Sequence, residues 1–252
     1  MAQASVQLLM CAVSLRLTPE PVTYARSGQL ATARAHLPTE CLVNDTSASS
    51  PSIFARPYAS LLAASTRLST TRANGLAGLV ADTSISLLLL GAGFWRGDVR
   101  LAIALLVIGA GLLLFSLIEY CFHRWLFHGA AGTFEQGHTK HHDDPLGYDA
   151  LPFFLPPLGI AALTGMLSLL IPTTVALLLV GSMAAGYAAY GIAHTAIHAL
   201  RFTRALPRRW AAAHHIHHHH PHSNFGVTTP LWDILLGTRY VSGASTRSVQ
   251  AD

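Results

Sequence analysis

Long apolar stretches alternate with short polar ones along this chain, and the character changes abruptly near residue 76. Residues 76–95 form an apolar run of about twenty residues with one internal charge, Asp82. A polar turn, Arg96-Gly97-Asp98-Val99-Arg100, separates it from a second apolar run at 101–117. A polar, histidine-bearing segment follows at 119–149. The third run, 151–171, is entered through Pro152, Pro156 and Pro157, Pro172 breaks it, and the fourth covers 175–193. Runs of about 20 apolar residues match the hydrocarbon thickness of a bilayer. The pattern predicts about four transmembrane helices paired as two hairpins, 76–117 and 151–193. Two of the runs lie near the lower length limit, which leaves a re-entrant or half-buried path open for them.

If both hairpins cross, residues 1–75, 119–150 and 194–252 share one side. That side carries Arg124, Lys140, Arg201, Arg204, Arg208 and Arg209, against Arg96 and Arg100 on the other. The positive-inside bias places the richer side in the cytoplasm. The fold class expected is therefore an all-α integral membrane protein. Its helical domain spans 76–240, between an N-terminal extension (1–75) and a C-terminal tail (241–252). The extension carries Arg16, Arg26, Arg34, Arg56, Arg67 and Arg72 against Glu20, Glu40 and Asp45. It is similar to an organelle transit peptide in being Arg- and Ser-rich and acid-poor, and a poorly ordered tail fits the same composition.

Composition agrees with the membrane reading. Charged residues make up 11% of the chain, where soluble domains carry roughly 25%. The net charge of +4 is almost all arginine, without the basic stripe interleaved with aromatics that nucleic-acid binding calls for. No nucleic-acid partner is expected. Cys11, Cys41 and Cys121 form no CxxC pair and no disulfide framework, and free thiols fit a chain facing a reducing cytoplasm.

Histidine is the outlier, with 15 residues, all but His36 between His123 and His222. They fall into four groups: His123/His128, His138/His141/His142, His194/His198, and a dense run from His214 to His222. Helical positions three and four apart share a face, so His138 with His141 and His142 can converge on one point, as can His194 with His198. His123 and His128 lie about 140° apart around an α-helix, which suits two different targets or a helix end. Imidazole is a ligand for zinc, copper and iron, and this many grouped histidines suggest two metals close together. The topology above brings all four groups to one face.

The order HxxxxH, HxxHH, HxxxH, HxxHH resembles the fatty acid hydroxylase/sterol desaturase superfamily. The flanks agree: Glu119-Tyr120 before the first group, Tyr190-Gly-Ile-Ala-His194, and NFGVTTPLWDILLGT from Asn224. The likeness covers about residues 85–240 and is closest to the fatty acid 2-hydroxylases. It implies ten metal ligands: His123, His128, His138, His141, His142, His194, His198, His215, His218 and His219. His214/His217/His218 meets the same spacing one residue earlier, but the Ala-His-His lead-in favours the later register.

The resemblance further implies a dinuclear site of two Fe ions in the cytosolic cap, O2 as co-substrate and a lipid substrate. Spacing alone would also admit zinc, which a purified form could carry, but zinc has no redox chemistry. Glu119, Asp143, Asp144 and Asp233 are candidates for orienting ligand N–H groups. No cytochrome b5-like haem domain is expected ahead of the membrane region, where His36 is the lone histidine. Electrons are then expected from a separate cytochrome b5-, ferredoxin- or reductase-type donor. The function expected is a membrane-bound non-haem di-iron lipid hydroxylase, and the localisation expected is a bacterial inner membrane. Sterol or carotenoid oxidation or desaturation at the same site is the alternative. A histidine-rich membrane metal transporter is the alternative of another class.

Overall fold

A computed structural model describes residues 64–129, 131–148 and 150–242. The expectations for most of the N-terminal extension and for the end of the C-terminal tail lie outside these residues. Among these residues the regular elements are all helical. They are α1 (Arg72–Arg96), α2 (Leu101–Cys121), a π-helical turn (Phe122–Phe127), α3 (Thr133–Asp143), α4 (Leu155–Leu167), α5 (Thr173–Ala199), α6 (Ala205–His219) and α7 (Leu231–Leu235).

Among the described residues, three helices are long and apolar enough to cross a bilayer: α1, α2 with its π-helical extension, and α5. The outer face of α2 leaves Leu105, Leu106, Leu112 and Leu113 exposed, a surface suited to lipid. A helix satisfies its own backbone groups, which is what the hydrocarbon region demands. The chain is an integral membrane protein. The third apolar run is different, because α4 has only 13 residues, about 20 Å at 1.5 Å per residue. That is short of a hydrocarbon core of about 30 Å. Its prolines fall in the first turn, and Ser168 ends the helix before Pro172. The second hairpin thus pairs a short helix with a long one.

Helix α5 is the centre of the bundle, in contact with α1, α2, α4 and α6. Its buried residues include a run of small ones, Gly181, Ser182, Ala184 and Gly186, beside Leu178 and Val180. Lipid tails are as apolar as leucine, so membrane helices associate through close backbone approach. A Cβ on Gly181 would sit 3.0 Å from the Leu90 backbone nitrogen, and the Ser86 hydroxyl donates to the Gly181 carbonyl at 3.2 Å.

Polar contacts secure the bundle at both ends. At the end away from the histidines, Arg96 Nε donates to Thr174 Oγ1 at 2.9 Å, and the Thr174 hydroxyl donates to Asp98 Oδ1 at 2.5 Å. At the other, Thr71 caps α1 by accepting from the Asn74 N–H. Buried Asn74 donates to the Leu151 carbonyl (3.0 Å) and accepts from the Phe153 N–H (2.9 Å). Helix α1 therefore begins ahead of the hydropathy boundary at 75/76, with Asn74 stitching it to the segment entering α4. Helix α5 likewise runs beyond the apolar run that ends at 193, so His194 and His198 ride on its last turns.

Candidate metal centre

His123 sits on the π-helical turn that ends α2, and His128 is the residue at its close. A π-helix widens each turn toward five residues, so the i,i+5 pair does not diverge as it would on an α-helix. The two rings stack at 5.2 Å between centroids and point to one place. This corrects the expectation of two different targets, while the helix-end reading fits.

Two groups of five histidines have ligand atoms that all lie within 4.8 Å of one another. The first is His123, His128, His138, His142 and His217, and the second is His141, His194, His198, His214 and His218. Either group could hold a metal ion. Each HxxHH box is divided between the groups. Helix α3 sends His138 and His142 to the first and His141 to the second. Helix α6 sends His214 and His218 to the second and His217 to the first. This corrects the expectation that His138, His141 and His142 converge on one point: a box with three imidazoles on adjacent turns reaches two neighbouring centres.

The donor chemistry fits metal. His138 Nε2 lies 3.0, 2.9 and 3.1 Å from the Nε2 atoms of His123, His128 and His142. A ring nitrogen carries either one hydrogen or one lone pair, so these contacts cannot all be hydrogen bonds. His123 Nδ1 lies 2.5 Å from the Phe225 carbonyl and His217 Nδ1 lies 2.7 Å from the Ser223 carbonyl. A carbonyl only accepts, so each Nδ1 carries the hydrogen and each Nε2 faces the cluster as a lone pair. In the second group, His214 Nε2 is 3.0 Å from His198 Nε2 and 3.1 Å from His218 Nε2. His141 Nε2 and His194 Nε2 are buried without a hydrogen-bond partner. Converging lone pairs and orphaned buried nitrogens are what a cation satisfies.

Electrostatics keep these imidazoles in the ligand form. Burial, with repulsion from neighbouring imidazoles added, pushes His128 and His141 down to about 4. Burial also brings His217 to about 3 against the opposing Ser223 carbonyl. His138, His214 and His218 are lowered by the same causes. At His142 burial outweighs the His218 carbonyl and the Asp143 carboxylate. All are neutral at pH 7.

The NFGVTTPLWD segment is the backing of the first group. Asn224 takes a left-handed conformation (φ 55°). Its side chain donates to the Ala213 carbonyl at 3.1 Å and accepts from the Tyr240 N–H at 2.9 Å. Asp233 accepts from the N–H groups of Phe225 and Gly226, both at 2.8 Å. Glu119 accepts from those of Val227 (2.6 Å) and Thr228 (2.9 Å) and from the Thr228 hydroxyl. A Cβ on Gly226 would lie 2.1 Å from the Thr229 carbonyl oxygen, so only glycine fits. Glu119 and Asp233 thus act on the backbone and touch no ligand N–H. They fix the loop whose Phe225 carbonyl orients His123. Asp143 and Asp144 are exposed at the end of α3.

Eight of the ten sequence-derived ligands fall in the two groups: His123, His128, His138, His141, His142, His194, His198 and His218. His215 and His219 do not, and both are exposed. His214 and His217, 3% and 0% exposed, stand in their place. The face of α6 that turns inward explains the shift by one residue. Ala211 is buried with Ile197 and Val227, and Trp210 packs beside them and donates from Nε1 to the Val227 carbonyl at 2.6 Å. With Trp210 and Ala211 inward, His214, His217 and His218 follow on the same face. The Trp210-Ala211 apolar pair, three to four residues ahead of His214, was the signal in the sequence for this register.

The fold and the histidine geometry define a membrane-embedded α-helical protein with two histidine groups that could each hold a metal ion. The fatty acid hydroxylase family profile matches residues 108–238, just over half of the chain. The chain belongs to the fatty acid hydroxylase family. It is 31% identical over 142 residues to the fatty acid 2-hydroxylase of Macaca fascicularis, covering 51% of this chain and 38% of that one. It is 30% identical over 149 residues to the dihydroceramide fatty acyl 2-hydroxylase FAH2 of Arabidopsis thaliana, covering 53% and 60%. The aligned part thus spans between about two fifths and three fifths of these relatives. Among solved structures, the hydroxylase domain of full-length Scs7p superposes with a TM-score of 0.59 at 23% identity, covering 69% of each chain. That likeness concerns the fold.

Proposed function

We propose that this protein is a membrane-bound di-iron oxygenase that hydroxylates a lipid C–H bond, most simply on a fatty acyl chain. The observation that carries the proposal is the pair of five-histidine groups at one end of the membrane helices, in a chain of the fatty acid hydroxylase family. The relatives are 2-hydroxylases of fatty acids and dihydroceramide acyl chains by name, which favours the acyl carbon next to the carbonyl. The balanced reaction takes R–H, O2, two electrons and two protons to R–OH and water.

The ligand set is His123, His128, His138, His142 and His217 at one ion, with His141, His194, His198, His214 and His218 at the other. Bound iron supplies the redox chemistry for O2 activation that imidazole lacks. The protein holds the neutral rings in place, with the Phe225 and Ser223 carbonyls setting the tautomers of His123 and His217. The apolar helices present the acyl chain from the bilayer. Two electrons come from a separate cytochrome b5-, ferredoxin- or reductase-type donor. The histidine face lies in the cytoplasm, under the positive-inside bias, and the membrane is a bacterial inner membrane.

Lipid profiling of cells with and without the intact gene tests this reading. A hydroxylated acyl lipid is expected with the wild type and lost with His138→Ala and His194→Ala. The same product from either variant would sink the metal assignment. Loose, exchangeable divalent ions without O2 consumption would favour a transporter.

A further inference from the structure

A groove of about 290 Å³ lies beside the second histidine group, outside the ten clustered imidazoles. One wall is Leu200, Arg201 and Phe202, the segment that follows the last residue of α5. The other is Arg208, Ala211, Ala212 and His215. These four positions share one face of α6, by their three- and four-residue spacing. The two alanines keep the floor low and apolar. Arg201 and Arg208 give the groove two permanent positive charges, and no acidic residue lines it. His215 closes it towards the metal centre, its ring 5.6 Å from that of His198.

We propose that this groove is a binding site for the phosphate-bearing headgroup of an anionic lipid. Two arginines on a shallow apolar floor match a phosphate that carries hydrophobic chains, because guanidinium groups form charge-assisted, often bidentate bonds to phosphate. Position selects the source of that phosphate. The groove begins directly after a membrane-spanning helix, so it stands at the boundary where headgroups lie. Exposed Leu200 (59%) and Leu206 (79%) border the same segment and suit that boundary. The placement deepens the proposed function, and rests on it for one consequence: a headgroup held here lies next to the second histidine group, so the lipid oxidised is a complex anionic lipid.

Native mass spectrometry of the detergent-solubilised, metal-loaded protein tests the site. The probes are phosphatidylglycerol, phosphatidylcholine of the same acyl chains, and inorganic phosphate. The wild type should retain phosphatidylglycerol about tenfold better than phosphatidylcholine, and Arg201→Gln/Arg208→Gln should abolish that preference, as expected when two charge-assisted contacts are lost. Metal content should stay unchanged, which separates loss of the site from loss of the fold. Equal retention by the double variant would overturn the proposal. So would displacement of phosphatidylglycerol by inorganic phosphate at comparable concentration, which would mark a simple anion site. A lipid preference that persists while a reduced acidic redox protein loses its salt-sensitive binding would assign the face to protein docking and also overturn it. If the preference holds but cells make no oxidised lipid, the groove stands and the oxygenase reading fails. If hydroxylated lipid appears without any preference, the reverse is true.

Discussion

The first and second histidine groups are supplied in the same way and supported differently. Each takes two imidazoles from the end of a membrane helix, two from the adjacent cap helix and one from the opposite cap helix. In the first, His123 and His217 are tethered through Nδ1 to the carbonyls of Phe225 and Ser223. The loop carrying Phe225 is itself clamped by Glu119 and Asp233. In the second, His214 Nδ1 has no partner, and His141 and His194 each bury an unpartnered Nε2. Outer hydrogen bonds fix ring orientation and raise ligand basicity. Two sites with equal ligand counts should therefore differ in affinity, the first tighter than the second.

The largest effect would come from removing a ligand. His138 Nε2 sits against three other Nε2 atoms, so His138→Ala should empty the first site and lower activity by more than about 100-fold. His194→Ala should empty the second and spare the first. Metal counts by elemental analysis would read this as one ion lost in each variant. The register of α6 belongs to the same measurement. His217→Ala should cost an ion, while His219→Ala, at an exposed position, should cost none. The opposite pattern would restore the later register.

A chelator should then release metal in two phases, the second group first, with affinities separated by about 10- to 100-fold if the carbonyl tethers act as such partners usually do. A single phase would break the comparison. Glu119→Ala sharpens it further. The variant strips the partners from the Val227 and Thr228 N–H groups, and an orphaned buried N–H costs about 1–3 kcal/mol. The loop should loosen, and affinity at the first site should fall by about 10-fold or more, while the second site keeps its value. Equal weakening of both sites would mean that Glu119 supports the whole cap and not one tether.

The amino-acid pattern disclosed much of this arrangement, and the parts it concealed have physical causes. Bilayer-length apolar runs and the pairing of hairpins follow from hydropathy, which is local. The anchoring of α1 through Asn74 is not, because its partners Leu151 and Phe153 are distant in sequence. Helix type at 122–127 is equally hidden, since HRWLF carries no breaker and the π-helical turn depends on where His123 and His128 must point. The division of each HxxHH box between two centres needs two facing helices, which spacing on one helix cannot show. The roles of Glu119 and Asp233 could be anticipated only as far as their support of the histidine groups, because their partners include backbone N–H groups of a loop. In each case a short-range signal was legible and a long-range partner was not.

The smallest predicted effect is on the metal-free fold. His128 and His141 accept protons at about 4 and His217 at about 3, whereas a solvated imidazole does so near 6.5. The unfolded chain therefore binds these protons first as pH falls. Stability contributed by the neutral rings is complete above pH 6.5 and is lost progressively between 6.5 and about 3. Metal-free protein in detergent should show a Tm that is level from pH 8 to 7 and falls by on the order of 5 °C towards pH 5. In metal-loaded protein, protons must also displace the ion. Release should then begin at higher pH from the second group, whose rings lack the carbonyl tethers that favour the metal-facing lone pair. A Tm that stays level on acidification would mean that the rings are solvated in the folded protein, titrating there as they do in the unfolded chain. Simultaneous release from both sites would remove the electrostatic side of the difference and leave only geometry to account for it.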